Sequence, residues 1–278
     1  MARIGVRPPA VPAVPRPRRA RRALTALLAL STAALALGGC GREETAGEGD
    51  PGTVTVVATT TWEGAFARAA GAKDVKVLVP PSTGHAPDYE PKPSDLTTVA
   101  AADFVLYAPF EPYAEQIKDA AGSQAELVEV GLDNDAAKVR AEVTRLAALF
   151  GTEDAAADWR KRFDAHYARL EKELKADWPD GKRPKVVSQV FTTWAAKLAG
   201  ARTVGAFGPE AVTPEQLSRL SAHEPALVLD NAHMTTGEVL PGTDARQVDV
   251  VNYPDRDLDL LAVYEDAATA LSEAMTAS

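Results

Sequence analysis

Two of the four histidines in this chain follow predicted strands and have carboxylates nearby, an arrangement that could bind a metal ion. His85 lies in a proline-rich loop with Glu90, and His233 follows Asp230 by three residues. Zinc is bound by imidazole nitrogens and carboxylate oxygens where thiolates are absent, whereas oxygen ligands alone suit manganese. We predict one shared cation site formed by His85, His233 and Asp230, with Glu90 or water as a fourth ligand. The alternative is that each histidine only forms hydrogen bonds within its own loop.

The loop that carries His85 is predicted to connect a strand to a helix. Residues 77–79 are apolar and β-branched, which is typical of a buried strand. Five prolines and a glycine follow between residues 80 and 93, so no regular element can continue through this segment. Ser94 or Asp95 then occupies the position of a helix N-cap before Leu96.

The rest of the chain predicts two α/β lobes joined by one long helix. In the first half, strands at 53–59, 75–79, 104–107 and 126–130 alternate with helices, which indicates a doubly wound parallel sheet. Strands at 185–190, 203–206, 226–229 and 248–251 repeat this alternation in the second half. Between them, residues from Trp159 to Leu174 are apolar at helical spacing. We predict an N-terminal lobe at 53–151, a linker helix at 152–180 and a C-terminal lobe at 181–278.

Ligands of such folds bind beyond the carboxyl ends of the strands, which locates a second set of candidate residues. We predict that they line a cleft between the lobes, where the aromatic members either pack against a solute or belong to the ordinary core. These candidates are Trp62, Gln189, Phe191, Trp194, Asn252 and Tyr253.

The N-terminus has the pattern of an export signal. Residues 1–22 contain seven arginines and no acid, residues 23–37 are apolar, and Leu37-Gly38-Gly39 precedes Cys40, the only cysteine. This context resembles the lipobox of bacterial lipoproteins; the alternative is an ordinary signal with a chance cysteine. We predict a signal peptide at 1–39, lipid attachment at Cys40 and a flexible tether at 40–52. The protein would then be anchored to the outer face of the membrane, at the cell surface or in the periplasm.

The charge and the missing motifs exclude several functions. The formal net charge is −9, and loss of the seven leader arginines makes it close to −16. An acidic exported domain is a poor nucleic-acid binder, but its potential suits a cationic ligand. No phosphate-binding loop, dinucleotide fingerprint, zinc-protease motif or serine elbow occurs, so we expect a monomeric binding protein rather than an enzyme.

Four segments resemble the zinc/manganese substrate-binding lipoproteins of ABC transporters, the cluster A-I or ZnuA/TroA-like family. They are Val56-Val57-Ala58-Thr59-Thr60, Val79-Pro80-Pro81, Tyr89-Glu90-Pro91-Lys92-Pro93-Ser94-Asp95-Leu96 and Ala102-Asp103-Phe104-Val105-Leu106-Tyr107. The resemblance implies two α/β lobes joined by a long helix. It also implies capture of a divalent metal, zinc or manganese, outside the cytoplasmic membrane and its delivery to a permease that works with an ATPase.

The chain departs from the family at several ligand positions. Pro87 stands where the family has its first histidine, and no histidine occurs between Val130 and Glu153. Gln189 replaces the third histidine and Asn252 the final aspartate, whereas the resemblance implies that Asp230 keeps an acidic position. Two alternatives therefore stay open: the same scaffold with a non-metal or chelated solute, and a surface adhesin-type lipoprotein.

Overall fold

The first of two parallel sheets follows the predicted rhythm of strands and helices. The computed structural model describes residues 54–83 and 86–277. The strands are β1 (Thr55–Ala58), β2 (Asp74–Val77), β3 (Phe104–Tyr107) and β4 (Glu126–Glu129). They pair in the order β2-β1-β3-β4, and every pairing is parallel. Such pairing requires crossover connections, which here are α1 (Thr61–Ala69), α2 (Pro93–Ala100) and α3 (Ala114–Ala120).

Local sequence decides where these crossover helices begin. The Thr60 hydroxyl accepts the Trp62 N–H, and Glu63 accepts the Thr60 N–H, which forms a capping box. For α2 the predicted cap was wrong, because Lys92 is the N-cap. Asp95 accepts the Lys92 N–H at 2.7 Å, so this carboxylate acts from the third helical position rather than from the cap itself.

Two helices lead out of the first sheet, α4 (Ala136–Phe150) and α5 (Glu153–Ala176). Gly151 separates them in a left-handed conformation with φ of 70°, which glycine adopts without strain. The 24 residues of α5 bury the predicted apolar face, including Phe163 and Leu174. The predicted long helix is therefore present.

The second sheet repeats the topology of the first. Its strands are β5 (Lys185–Gln189), β6 (Arg202–Phe207), β7 (Leu227–Asn231) and β8 (Arg246–Val250), in the order β6-β5-β7-β8. The helices that accompany it are α6 (Thr193–Leu198), α7 (Pro214–Ser221) and α8 (Leu260–Thr276). The fold class is confirmed: two doubly wound α/β lobes connected through a long helix.

The main hydrophobic core is continuous from one sheet to the other through α5 and α8. The Phe163 ring lies 5.1 Å from Tyr264 in edge-to-face geometry, and Trp194 lies at the same distance on another side of Tyr264. Such aromatic pairs stabilise a packing arrangement beyond the area that they bury. Because this core crosses the predicted limits at residues 151 and 181, the exact lobe boundaries stay a prediction.

Several predicted features lie outside the described residues. They are the signal peptide, the tether, Cys40 and His85. Within 54–83 and 86–277, no helix is both long and apolar enough to span a bilayer.

Candidate ligand site at the strand ends

Within each sheet, the strand register places the carboxyl ends of the strands side by side, at the edge where we predict that a ligand binds. Ala58 of β1 lies opposite Leu106 of β3, and Asn231 of β7 lies opposite Val250 of β8. Since all strands of a sheet run in the same direction, the residues that follow them share one edge. The side chains beyond these ends are therefore the candidates for a ligand site.

A stack of three aromatic rings connects the ligand edges of the two lobes. The ring of His233, after β7, stacks on Tyr253, after β8, with 3.8 Å between centroids. Trp62, on α1 of the other lobe, lies 5.8 Å from Tyr253. Burial lowers the pKa of His233, so its imidazole is neutral at neutral pH. Its Nε2 atom is buried and has no hydrogen-bond partner among the described residues, which leaves that nitrogen for a ligand.

A set of amides and indoles, the inter-lobe network, shares Trp62 with this stack. It consists of the half-buried Trp62 and the buried Asn134, Asn252 and Trp194. The indole of Trp62 donates to Asn134 Oδ1 at 3.2 Å, and Asn134 Nδ2 donates to the Asn252 carbonyl at 2.6 Å. The indole of Trp194 donates to Asn252 Oδ1 at 2.8 Å. Two predicted cleft residues, Trp62 and Asn252, are therefore linked through Asn134, which sequence reasoning missed. Its signal was its place just after β4, at a strand end that the prediction did not consider.

Gln189 is the last residue of β5 and Asp230 the penultimate residue of the neighbouring strand β7, and both are buried. Gln189 Oε1 accepts the Phe191 N–H at 2.8 Å, which orients the amide, and its buried Nε2 has no partner in the described structure. Asp230 accepts the Asn231 N–H at 2.9 Å and lies 3.5 Å from the Gln247 amide nitrogen. Phe191 is half exposed at 52%, whereas Trp194 is buried. The edge of the second sheet thus combines a free donor with exposed apolar surface.

Of the two predicted ligands in the proline-rich loop, the structure describes Glu90, which lies apart from this group. Glu90 is exposed and lines a surface pocket of about 370 Å³ together with Tyr89 and Tyr113. The pocket includes neither His233 nor Asp230. No group of three or more histidines, cysteines or acids that could hold a metal occurs within the residues that the structure describes, and His85 lies outside them. The shared site of His85, His233, Asp230 and Glu90 stays a prediction.

A second feature that the sequence reasoning did not single out is a pair of buried acids at the ends of β1 and β3. Glu63 is 0% exposed and Glu111 is 6% exposed. The hydroxyl of Thr59 donates to Glu111 Oε1 at 2.9 Å, and burial raises the pKa of Glu63. The pair therefore lies directly at the ligand edge of the first sheet.

Comparison with known proteins agrees with the predicted resemblance. Residues 56–166 match the family model described as "Zinc-uptake complex component A periplasmic", and that range runs from β1 into α5. Solved structures that include TroA superpose on the chain. The chain has a ZnuA/TroA-like fold, and its residues 56–166 resemble the zinc-uptake family. A search of curated proteins gives no match.

Three solved structures illustrate how much of the chain the ZnuA/TroA-like fold covers. The zinc-bound ZnuA-like domain of AdcA from Streptococcus pneumoniae shares 14% identity, with a TM-score of 0.53 over 81% of this chain and 99% of that domain. The manganese-bound periplasmic metal-binding protein of Candidatus Liberibacter asiaticus shares 14% identity, with a TM-score of 0.55 over 80% and 99%. The laminin-binding protein Lbp of Streptococcus pyogenes shares 15% identity, with a TM-score of 0.56 over 78% and 98%. At these identities the likeness is one of fold.

Proposed function

We propose that this protein is the extracytoplasmic solute-binding component of an ABC importer. It captures a divalent metal ion, zinc or manganese, at the junction of its lobes and delivers it to a membrane permease that works with an ATPase. In this role it acts as a monomer without enzymatic activity and is held at the outer face of the membrane by a lipid on Cys40. The match of residues 56–166 to a zinc-uptake family supports the transport role.

The observation that carries the proposal is the environment of His233. A half-buried imidazole that is neutral, stacked on Tyr253 and unpartnered at Nε2 has a lone pair ready for an electrophile. Neutral imidazole is the form of histidine that binds metals. His233 also lies at the junction, since the same stack includes Trp62 from the other lobe.

The two asparagines of the inter-lobe network are not among the metal ligands that we propose. Asn134 and Asn252 are each engaged in the inter-lobe network, so their side-chain oxygens already accept indole N–H groups. The Asp230 carboxylate has only a long contact of 3.5 Å, to the Gln247 amide nitrogen, at its second oxygen. Asp230 also lies close to His233 along the chain, because β7 ends two residues before that histidine. We therefore propose Asp230 and His233 as the ligands from the second lobe, with His85 and Glu90 as their partners from the first.

A chelated metal or another organic solute is the second candidate ligand. Gln189 presents a buried N–H donor without an acceptor, and a donor repels a bare cation but binds a carboxylate or carbonyl oxygen. Phe191 and Met234, which follow β5 and β7, supply exposed apolar surface on the same edge. A solute that carries its own oxygens and an apolar body would use both features. The adhesin-type alternative is not favoured, because the matched family is described by zinc uptake.

Calorimetric titration with zinc and with manganese tests the proposal. Wild type is compared with His85→Ala and His233→Ala, and His223→Ala is the matched control because His223 is exposed at the end of α7. A shared site predicts a loss of affinity of about tenfold or more for either ligand variant, which corresponds to about 1.4 kcal/mol. The control should bind like wild type. Absence of binding by wild type, or equal binding by all four proteins, would contradict the metal site and favour the organic solute.

A further inference from the structure

Glu63 and Glu111 carry two carboxyl groups into the interior of the first lobe without a cation to balance them. Glu63 Oε2 accepts the Thr60 N–H at 3.1 Å and the Thr60 hydroxyl, while its Oε1 is buried without a donor in the described structure. Glu111 accepts from the Thr59 hydroxyl at 2.9 Å, the Ala108 N–H at 3.1 Å and the Tyr113 hydroxyl at 3.4 Å. Every one of these donors is a neutral group.

The cations on helices α1, α3 and α4 of the first lobe have partners of their own. On α3, Lys118 binds Glu115 at 2.8 Å and lies over the Tyr107 ring, and on α1, Arg68 donates to a backbone carbonyl. On α4, Lys138 and Arg140 bind acidic partners. The titratable groups that act on Glu111 are Glu63 and Tyr113. The Tyr113 ring packs on Tyr89, whose hydroxyl donates to Asp95 of α2 at 2.6 Å. Burial and the charge of Glu111 raise the pKa of Tyr113, so its hydroxyl remains a neutral donor.

Two adjacent ionised carboxylates in such surroundings would be strongly unfavourable. Removing a charge from water costs several kcal/mol unless it is paired, and two like charges at one site repel each other in addition. The usual outcome is that a group takes up a proton, as happens where two carboxylates share one site. Glu63 Oε1 receives no hydrogen bond in the described structure, so this oxygen is available to bind that proton.

We propose that Glu63 and Glu111 form a proton-binding site that holds one shared proton at neutral pH. Burial and the charge of Glu63 raise the pKa of Glu111 to about 8, and burial raises that of Glu63. The pair therefore binds a proton in the folded state at pH values where exposed carboxyls have lost theirs. Because it lies where β1 and β3 end, a cation captured at this edge favours release of the proton; this coupling rests on the proposed function.

The sign of the pH effect follows from the raised folded-state pKa. Between the ordinary glutamate value of 4.5 and about 8, the folded state binds more protons than the unfolded state. The contribution of this pair to the unfolding free energy is therefore fully present at low pH, and it is lost as the pH rises through that range. One shared proton makes the unfolding equilibrium constant increase by up to about tenfold per pH unit.

Urea unfolding of the metal-free protein between pH 6 and 8 tests the shared proton. Wild type should lose stability with rising pH, and Glu111→Gln should abolish most of this dependence, because a neutral amide replaces the protonated acid. Glu115→Gln, an exposed position on α3, is the control and should retain the wild-type profile. If Glu111→Gln does not fold, Glu63→Gln takes its place. A flat wild-type profile, or the same pH dependence in all variants, would overturn the proposal.

Infrared spectroscopy at neutral pH provides a readout that does not depend on unfolding. A protonated carboxyl band should be present in wild type and in Glu115→Gln but absent in Glu111→Gln; its absence from wild type would overturn the shared proton.

Zinc titration in two buffers of different ionisation enthalpy then tests the coupling. Wild type should release about one proton more per bound ion than Glu111→Gln. Equal release would overturn the coupling alone. If wild type binds no zinc, the proposed function and the coupling both fail, while the unfolding and infrared results still decide the shared proton.

Discussion

Replacing Asn134 by alanine should destabilise the protein by about 4 kcal/mol, because this side chain joins the two lobes and two polar groups lose their partner. Asn134 is 1% exposed, accepts the Trp62 indole N–H at 3.2 Å and donates to the Asn252 carbonyl at 2.6 Å. Each buried polar group left without its partner costs about 1–3 kcal/mol. Trp62 is only half-buried, so its N–H can find water and contributes near the low end. Asn252 is 2% exposed, so its carbonyl contributes near the high end.

Urea denaturation followed by circular dichroism measures this loss as a change in the unfolding free energy. The control is Asp133→Asn, on the preceding residue. It keeps an oxygen for the Asp135 N–H and removes only an exposed ion pair with Lys138, so it should change stability by less than about 1 kcal/mol. A double-mutant cycle with Trp62→Phe should give a coupling energy of at least about 0.5 kcal/mol. A loss below about 1 kcal/mol for Asn134→Ala would refute the view that the network connects the lobes.

Two further predictions concern the anchor and the motion of the lobes. Cys40→Ala should move the protein from the membrane fraction to the soluble fraction, and an unchanged distribution would contradict lipidation at Cys40. Solution scattering curves with and without ligand should be nearly superimposable, because α5 is a continuous helix whose Phe163 packs on Tyr264 of α8. A large closure of the lobes on ligand binding would contradict this expectation.

The positions of the strands and helices followed from local sequence. Alternating apolar runs, the capping box at Thr60 and the glycine at 151 each act over a few residues, so their effect is readable without a tertiary structure. The alternation of strands and helices also decides that the sheets are parallel, since every connection must cross over. The motifs of the first lobe, which lie at strand ends and helix starts, are also short-range patterns. They therefore indicated the ZnuA/TroA-like fold from the sequence alone.

The composition of the candidate site followed from the sequence only in part. A strand end can be located from its pattern, so Trp62 of the first lobe and His233 and Tyr253 of the second were predicted to face one cleft. The structure brings these three rings together. The sequence could not tell that Asn252 is bonded to Asn134, because those residues are 118 positions apart and meet only when the lobes pack.

Burial is the property that only the tertiary structure decided. Glu63 and Glu111 look like ordinary surface acids in the sequence, and one of them serves as a capping residue of α1. Packing of the first lobe removes both from water, which raises their pKa values and makes a pair of common residues a candidate proton site. The sequence by itself determined the elements and the edge that carries the candidate ligand site, since those depend on neighbours along the chain. The charge state and the partners of the side chains at that edge depend on neighbours in space, so they required the folded structure.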